Sequence, residues 1–241
     1  MKQLKSVHPN LIYTPGNHDD NRYLNRDGAQ ASVSEWDYTK GEVFSYYLST
    51  NCPKKIFNTD NNGLDYYFDY PQFNIRIIAI DSNYYNSTTK SWNYGYADST
   101  VSWLTNILAD TPSGYAVLLL SHMSPVYSHN ADNYLYPNME LIQNVIQGFI
   151  NSGGDFIGTF YGHSHLDWST ATPWLDISFC CGKLHNGSVT PDLENMPNAV
   201  APDRVIGTAT EDCWSVVLIL PESRKIKVIR FGAGNDAEYS Y

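Results

Sequence analysis

Residues 155–165 read DFIGTFYGHSH, an apolar run that ends in a glycine and two histidines. The run predicts a buried strand from Asp155 to Tyr161, because β-prone residues fill it and Gly162 then breaks it. In an extended chain, residues two apart point to the same side, so His163 and His165 are expected to present two imidazoles together. Such a pair alone does not distinguish a metal site from histidines that pack in a core or lie exposed.

Two further polar clusters follow predicted strands in the same way. Ser121-His122 comes directly after the apolar segment Tyr115 to Leu120, and Gly16-Asn17-His18-Asp19 follows the short strand Leu11 to Tyr13. Open α/β sheets bind ligands just past the carboxyl ends of their strands, which is where these clusters lie. Each has a plain alternative: His122 as a structural histidine, and the tetrapeptide as an Asn/Asp-rich turn with a helix cap.

The three clusters together are stronger evidence for a metal site than each cluster is alone. They place four of the seven histidines at strand ends. Imidazole, amide and carboxylate groups form a mixed nitrogen and oxygen set, which suits zinc, manganese or iron better than calcium or magnesium. The pattern therefore predicts a transition-metal site. Asp81 and Asn83 end another predicted strand and are either supporting groups or turn residues.

The remaining pattern alternates strands and helices, which is typical of an α/β fold. The alternation in 65–70 and 75–80 predicts a hairpin around the turn Pro71 to Asn74, and residues 83–98 are interpreted as an exposed loop. A helix capped by Asp98 or Ser99 is expected to run to Ala109. Further predicted elements are the helix Met139 to Asn151 and the β-rich segments Trp174 to Cys181, Cys213 to Leu220 and Lys225 to Phe231.

The charge and composition of the chain argue against nucleic acid and membrane as partners. The chain has 241 residues and a formal net charge of −10. Such an acidic chain lacks the basic surface that general nucleic-acid binding needs. It contains no apolar run of about 18 residues, so no membrane span is predicted. Cys180 and Cys181, adjacent in an apolar segment, are interpreted as buried thiols, which favours a reducing, cytoplasmic location.

Three segments closely resemble the third, fourth and fifth motifs of the calcineurin-like metallophosphoesterases, in the same order. They are TPGNHD at 14–19, SHMSP at 121–125 and GHSH at 162–165. The resemblance covers nearly the whole chain and implies a single domain over residues 1–241. The implied fold is a layered α/β sandwich of two mixed β-sheets flanked by helices. The implied activity is hydrolysis of a phosphomonoester or phosphodiester with the help of two metal ions.

The resemblance also implies a role for each matching residue. Asn17, His122 and His163 would bind the second metal, and His165 would bind the first. His18 would contact the phosphate and stabilise or protonate the leaving oxygen, with Asp19 as its orienting carboxylate. The metals would be manganese, zinc or iron, and the partner would be a phosphoester substrate.

The sequence departs from the family pattern ahead of Gly16. The family begins with an Asp-x-His strand and a Gly-Asp-x-x-Asp strand, and neither occurs in the fifteen residues before Gly16. We therefore expect an N-terminally truncated domain that lacks the first βαβ unit, binds at most one metal and hydrolyses phosphoesters poorly. The sheet edge left open by the missing strands is expected to be covered by self-association or by a partner.

Two other functions remain open. The chain can be a catalytically silent binding or structural module that keeps the fold and part of the metal site. It can also be a zinc-dependent hydrolase of another bond, although no motif for that chemistry is found. An in-frame Asp-x-His and Gly-Asp-x-x-Asp encoded upstream would favour the enzyme.

Overall fold

A computed structural model gives the structure of the protein. It divides the chain into two compact units, Met1–Asp155 and Phe156–Tyr241, and each is described here by itself. The prediction of one domain over residues 1–241 stays a prediction. The described residues are 12–16, 55–61, 63–86, 91–126, 136–171, 174–179 and 196–241.

The first unit contains a four-stranded run of mixed sheet in the order β1-β2-β3-β6. Strands β1, β2 and β3 pair antiparallel, whereas β3 and β6 pair parallel from Ile75↔Ala116 to Ile80↔Ser121. The predicted hairpin and its turn at Pro71 to Asn74 are confirmed. The strands are β1 Ile56–Phe57, β2 Tyr66–Tyr70, β3 Ile75–Ile80 and β6 Ala116–Ser121.

The segment 83–98 is not the loop that the sequence suggested. Strands β4 (Asn83–Asn86) and β5 (Ser91–Tyr94) pair antiparallel as a separate two-stranded sheet. Their asparagines and serines were interpreted as loop-forming residues. The tyrosines and the tryptophan between them favour strands, and this preference decides the structure.

The described residues of this unit include two helices, both with the predicted ends. Helix α1 is Asp98–Ala109 and buries Leu104 and Leu108, and helix α2 is Met139–Asn151. The predicted side-chain cap is wrong, because the N-cap is Ala97 and the Asp98 carboxylate instead accepts a hydrogen bond from the Asn138 amide at 2.7 Å. A 3-10 turn, Thr59–Asn61, precedes β2.

A buried carboxylate, Asp65, joins four parts of the first unit. One of its oxygens accepts the backbone N–H of Asp81 at 2.7 Å, and the other accepts the Thr100 hydroxyl, also at 2.7 Å. The side-chain amides of Asn58 and Asn61 donate to the second oxygen as well, at 2.9 and 3.0 Å. Burial, and then the nearby Asp81 carboxylate, raise the pKa of Asp65 to about 6 although these donors act to lower it.

The second unit begins with another mixed run of sheet, in the order β7-β9-β8. Strand β7 pairs parallel with β9, and β8 pairs antiparallel with β9. Gly158 lies in the middle of β7 because a Cβ at this position would come within 2.5 Å of the Leu175 carbonyl oxygen. The strands are β7 Asp155–Tyr161, which confirms the prediction, β8 Trp168–Thr170 and β9 Asp176–Ser178. Cys180 and Cys181 lie outside the described residues.

A three-stranded antiparallel sheet, in the order β10-β11-β12, completes the second unit. The predicted β-rich segments Cys213 to Leu220 and Lys225 to Phe231 are confirmed as strands, and a 3-10 helix, Pro221–Ser223, lies between them. One face exposes apolar side chains, among them the stacked rings of Trp214 and Phe231. Self-association that covers the sheet edge left by the missing first strands stays a prediction. The strands are β10 Cys213–Leu220, β11 Lys225–Gly232 and β12 Ala237–Ser240.

The predicted α/β class is confirmed, since both units combine parallel and antiparallel strand pairs and the first adds helices. Within the described parts of the chain, no helix is both long enough and apolar enough to cross a bilayer.

Replacing Asp65 by asparagine tests the ionisation of this carboxyl group. Because its pKa is raised from 3.8 to about 6, the folded chain keeps, between these values, a proton that the unfolded chain releases. The free energy of unfolding therefore falls as the pH rises through this window, by up to about 3 kcal/mol. The Asp65→Asn chain lacks this linkage, so its stability relative to the native chain should rise from about pH 4 to about pH 7.

Urea unfolding at a series of pH values measures this difference. Asp110→Asn, the same substitution on an exposed residue that follows α1, is the control. If the stability of Asp65→Asn relative to the native chain stays constant or falls across this pH window, the native carboxyl group has an ordinary pKa.

Candidate functional site

The parallel pairing of β3 and β6 brings two predicted strand ends to one edge of the first unit. Asp81, Ser82 and Asn83 follow β3, and His122 follows Ser121, the last residue of β6. Ile80 and Ser121 are register partners, so the two chains leave the sheet side by side. Ser121 is buried and His122 is half-buried.

The segment 12–16 is fastened to the same edge. The hydroxyl of the buried Tyr66 accepts the Tyr13 N–H at 2.7 Å and donates to the Tyr13 carbonyl oxygen at 2.8 Å. The side-chain amide of Asn83 donates to the Pro15 carbonyl oxygen at 3.0 Å. Neither Ile12 nor Tyr13 lies in a strand, so the predicted strand is wrong for these two residues. At Tyr13 the Tyr66 hydroxyl bonds both backbone polar groups that a strand ladder would use.

The turn after His122 is fixed from both sides. Its next residue, Met123, donates its N–H to the Ser82 hydroxyl at 3.0 Å, and its carbonyl oxygen accepts the Tyr96 hydroxyl, also at 3.0 Å. Ser82 and Tyr96 are both fully buried. The backbone that carries His122 is thus held by groups that cannot turn away to water.

His163 and His165 follow β7 in the second unit, with an unusual backbone. Both have a left-handed φ, 59° and 58°, which costs a residue with a side chain about 1–2 kcal/mol. The argument that an extended chain points both imidazoles to one side is therefore wrong here. The buried Ser164 between them bonds through its hydroxyl to that of Ser178, at the end of the neighbouring strand β9. Strain of this kind is most often found at functional sites.

The predicted site residues are distributed over both units. His122 lies in the first unit and His163 and His165 in the second, whereas Asn17, His18 and Asp19 lie outside the described residues. In the part of the chain that the structure describes, no group of three or more His, Cys, Asp or Glu side chains could hold a metal. The donor chemistry still fits a transition metal, since all three described histidines are half-buried at strand ends.

Several supporting residues were not found from the sequence. The sequence leaves open whether Asn83 is a supporting group or a turn residue, and it indicates Ser82 only as part of a strand end. Tyr66 and Tyr96 gave no signal, because their hydroxyls act on backbone atoms 53 and 27 positions away. Only the fold brings such partners together.

A cavity of about 570 Å³ in the first unit lies elsewhere. It lies between the C-terminal ends of α1 and α2 and is lined by Leu108, Phe149 and Tyr115, among others. Tyr115 precedes β6, so the cavity is at the opposite end of this strand from His122. We assign it no part in the chemistry.

Comparison with solved structures identifies a protein of similar fold. A dimetal phosphatase from Danio rerio matches with a TM-score of 0.53 and 14% sequence identity, over 86% of this chain and 69% of that chain. At this identity the likeness shows the fold alone. No protein-family model and no curated protein sequence matches the chain. The resemblance drawn from the three motifs is thus supported at the level of the fold.

Substitutions of His163 test the backbone strain. His163→Gly and His163→Ala remove the same imidazole, but only glycine relieves the cost of a φ of 59°. We expect the glycine variant to be more stable than the alanine variant by about 1 kcal/mol, measured by urea unfolding.

The same pair of substitutions at His122 is the control, because His122 is not among the residues with a left-handed φ. There the glycine variant should be less stable than the alanine variant by about 0.5–1 kcal/mol, the usual order. If the order at His163 matches that at His122, the turn is not strained.

Proposed function

We propose that this protein is a metal-dependent phosphoester hydrolase. The observation that carries the proposal is in the first unit, where the segment leading to Gly16 and the turn carrying His122 are both fastened to the carboxyl edge of β3 and β6. Parallel strand ends are where α/β folds place their chemistry. The fold-level likeness to a phosphatase supports the same class of reaction.

The histidines that follow β6 and β7 are the proposed metal ligands. Asn17, His122 and His163 would hold one ion and His165 would contribute to another. A bound manganese, zinc or iron ion supplies Lewis-acid polarisation of a phosphoryl oxygen and a water of lowered pKa. The half-buried position of His122 suits this role, since a fully exposed imidazole would be less well oriented.

His18 and Asp19 are the proposed catalytic pair. They follow Pro15 and Gly16, and the Pro15 carbonyl oxygen is held by Asn83. His18 would donate a proton to the leaving oxygen or stabilise the charge that grows on the phosphate, and Asp19 would orient its imidazole.

The proposed ligand set is unequal, since it assigns Asn17, His122 and His163 to one ion and His165 to the other. We therefore expect this other ion to be held weakly and turnover to be slow. A site with too few charged ligands binds its ion weakly. The competing function, a silent module that keeps the fold, predicts no turnover at any metal concentration.

Metal content gives the first test. After dialysis against a slight excess of manganese or zinc, we expect at most one ion per chain by inductively coupled plasma mass spectrometry. His122→Ala should lower this content to background, and His129→Ala, a histidine with no assigned role, should leave it unchanged. Two tightly held ions per native chain would refute the expected ligand set.

Kinetics with p-nitrophenyl phosphate and its bis-ester give the second test. His18→Ala should lower turnover by roughly a hundredfold or more with little change in metal content, because its role is toward the transition state. His122→Ala should lose metal first. If His18→Ala loses metal and keeps its rate per bound ion, the two roles are exchanged.

A further inference from the structure

Two adjacent residues at the end of β3 reach two different segments of the proposed site. Ser82 accepts the Met123 N–H at 3.0 Å, next to His122. Asn83 donates its side-chain amide to the Pro15 carbonyl oxygen at 3.0 Å, across 68 positions of sequence. Neither bond belongs to a strand ladder, so both are additions to the pairing that builds the sheet.

The amide of Asn83 is itself held in place. Its Nδ2 also donates to the Asp81 carboxylate at 3.2 Å, and its backbone N–H donates to the same oxygen at 3.0 Å. An Asn amide has two N–H donors, so both are used. Asp81 is buried, and its own N–H donates to the fully buried Asp65. The Asn83 side chain is thus held in one orientation, and it in turn restrains the position of the Pro15 carbonyl oxygen.

Asn83 is the first residue of β4 and the register partner of Tyr94 in β5. A residue with only this role in the sheet would need no distant side-chain contact, yet the Asn83 amide contacts the residue that immediately precedes Gly16. Because Asn83 is only half-buried, burial does not force this amide to find a protein acceptor. The contact to Pro15 is therefore better explained by placement of that segment than by satisfaction of a buried group.

We propose that Asn83 is a positioning residue that fixes the segment leading into Gly16-Asn17-His18-Asp19 relative to the His122 turn. The proposal rests on the proposed function, since these two segments carry the groups that would act on the phosphoester. In this role Asn83 acts through the Pro15 carbonyl oxygen, and a displacement of about 1 Å at reacting groups is enough to lower a rate by about a hundredfold.

Three variants of the full chain test the proposal. Asn83→Ala removes the amide, and Asn83→Asp keeps its size but loses both N–H donors, so it serves if the alanine variant folds poorly. Asn106→Ala, the same substitution on the exposed face of α1, is the matched control.

Amide hydrogen exchange is the readout that does not depend on activity. We expect both Asn83 variants to raise exchange of the Tyr13 amide, which donates to the Tyr66 hydroxyl, by about tenfold or more, which corresponds to about 1.4 kcal/mol of lost protection. Exchange in α2 and in the Asn106→Ala control should match the native chain. Unchanged exchange at the Tyr13 amide overturns the proposal whatever the activity.

Turnover of p-nitrophenyl phosphate with manganese is the second readout. Both Asn83 variants should lower kcat by roughly tenfold or more with KM within about twofold, because misplacement acts on the transition state more than on binding. Faster exchange together with an unchanged kcat overturns the positioning role. A native chain without turnover refutes the proposed function instead, and the exchange experiment then decides on Asn83 alone.

Discussion

The buried carboxylate of Asp65 is the interaction on which the first unit depends. It lies where β2 begins, yet its hydrogen bonds extend to the 3-10 turn, to α1 and to the backbone after β3. Moving a charge into such a site is unfavourable unless donors surround it. Without Asp65, the N–H of Asp81 and the hydroxyl of Thr100 would be left buried without this acceptor, at about 1–3 kcal/mol for each group. The carboxylate therefore specifies how these elements meet.

The parallel pairing of β3 and β6 places the carboxyl ends of both strands at one edge of the sheet, where the proposed site lies. Parallel strands end on the same side, so residues 41 positions apart, Asp81 and His122, leave the sheet together. This is why the sequence could predict so much. A strand followed by polar residues can be recognised in the sequence. Because parallel strands share a carboxyl edge, such residues can then be expected to lie close together in the fold. The hairpin at Pro71, both helices and strand β7 were predicted from periodicity and turn residues for the same reason.

The failures have equally specific causes. Strands β4 and β5 were missed because asparagine and serine suggested a loop, while the aromatic residues between them favoured pairing. Strand β8 is only three residues long, too short for alternation to be recognised. Strand β9 lies inside the predicted β-rich segment Trp174 to Cys181 but covers only Asp176–Ser178 of it. The role of Tyr66 could not be found at all, since its hydroxyl bonds to Tyr13 only in the folded chain. Local pattern predicts elements, and long-range side-chain contacts fall outside it.

The backbone of the Gly-His-Ser-His turn shows why motif and geometry must be argued separately. The motif marks the place correctly, at the end of β7, but an extended chain is the wrong conformation for it. With left-handed φ angles at both histidines, their directions are set by the turn and by the buried contact of Ser164 with Ser178. Alternation along a strand therefore says nothing about which way either imidazole points. A strained turn of this kind persists only where surrounding contacts over-determine it. Ser178 is the register partner of Tyr161 in the pairing of β7 with β9. The sheet therefore holds the Ser178 hydroxyl beside Ser164 and keeps the turn in its strained conformation.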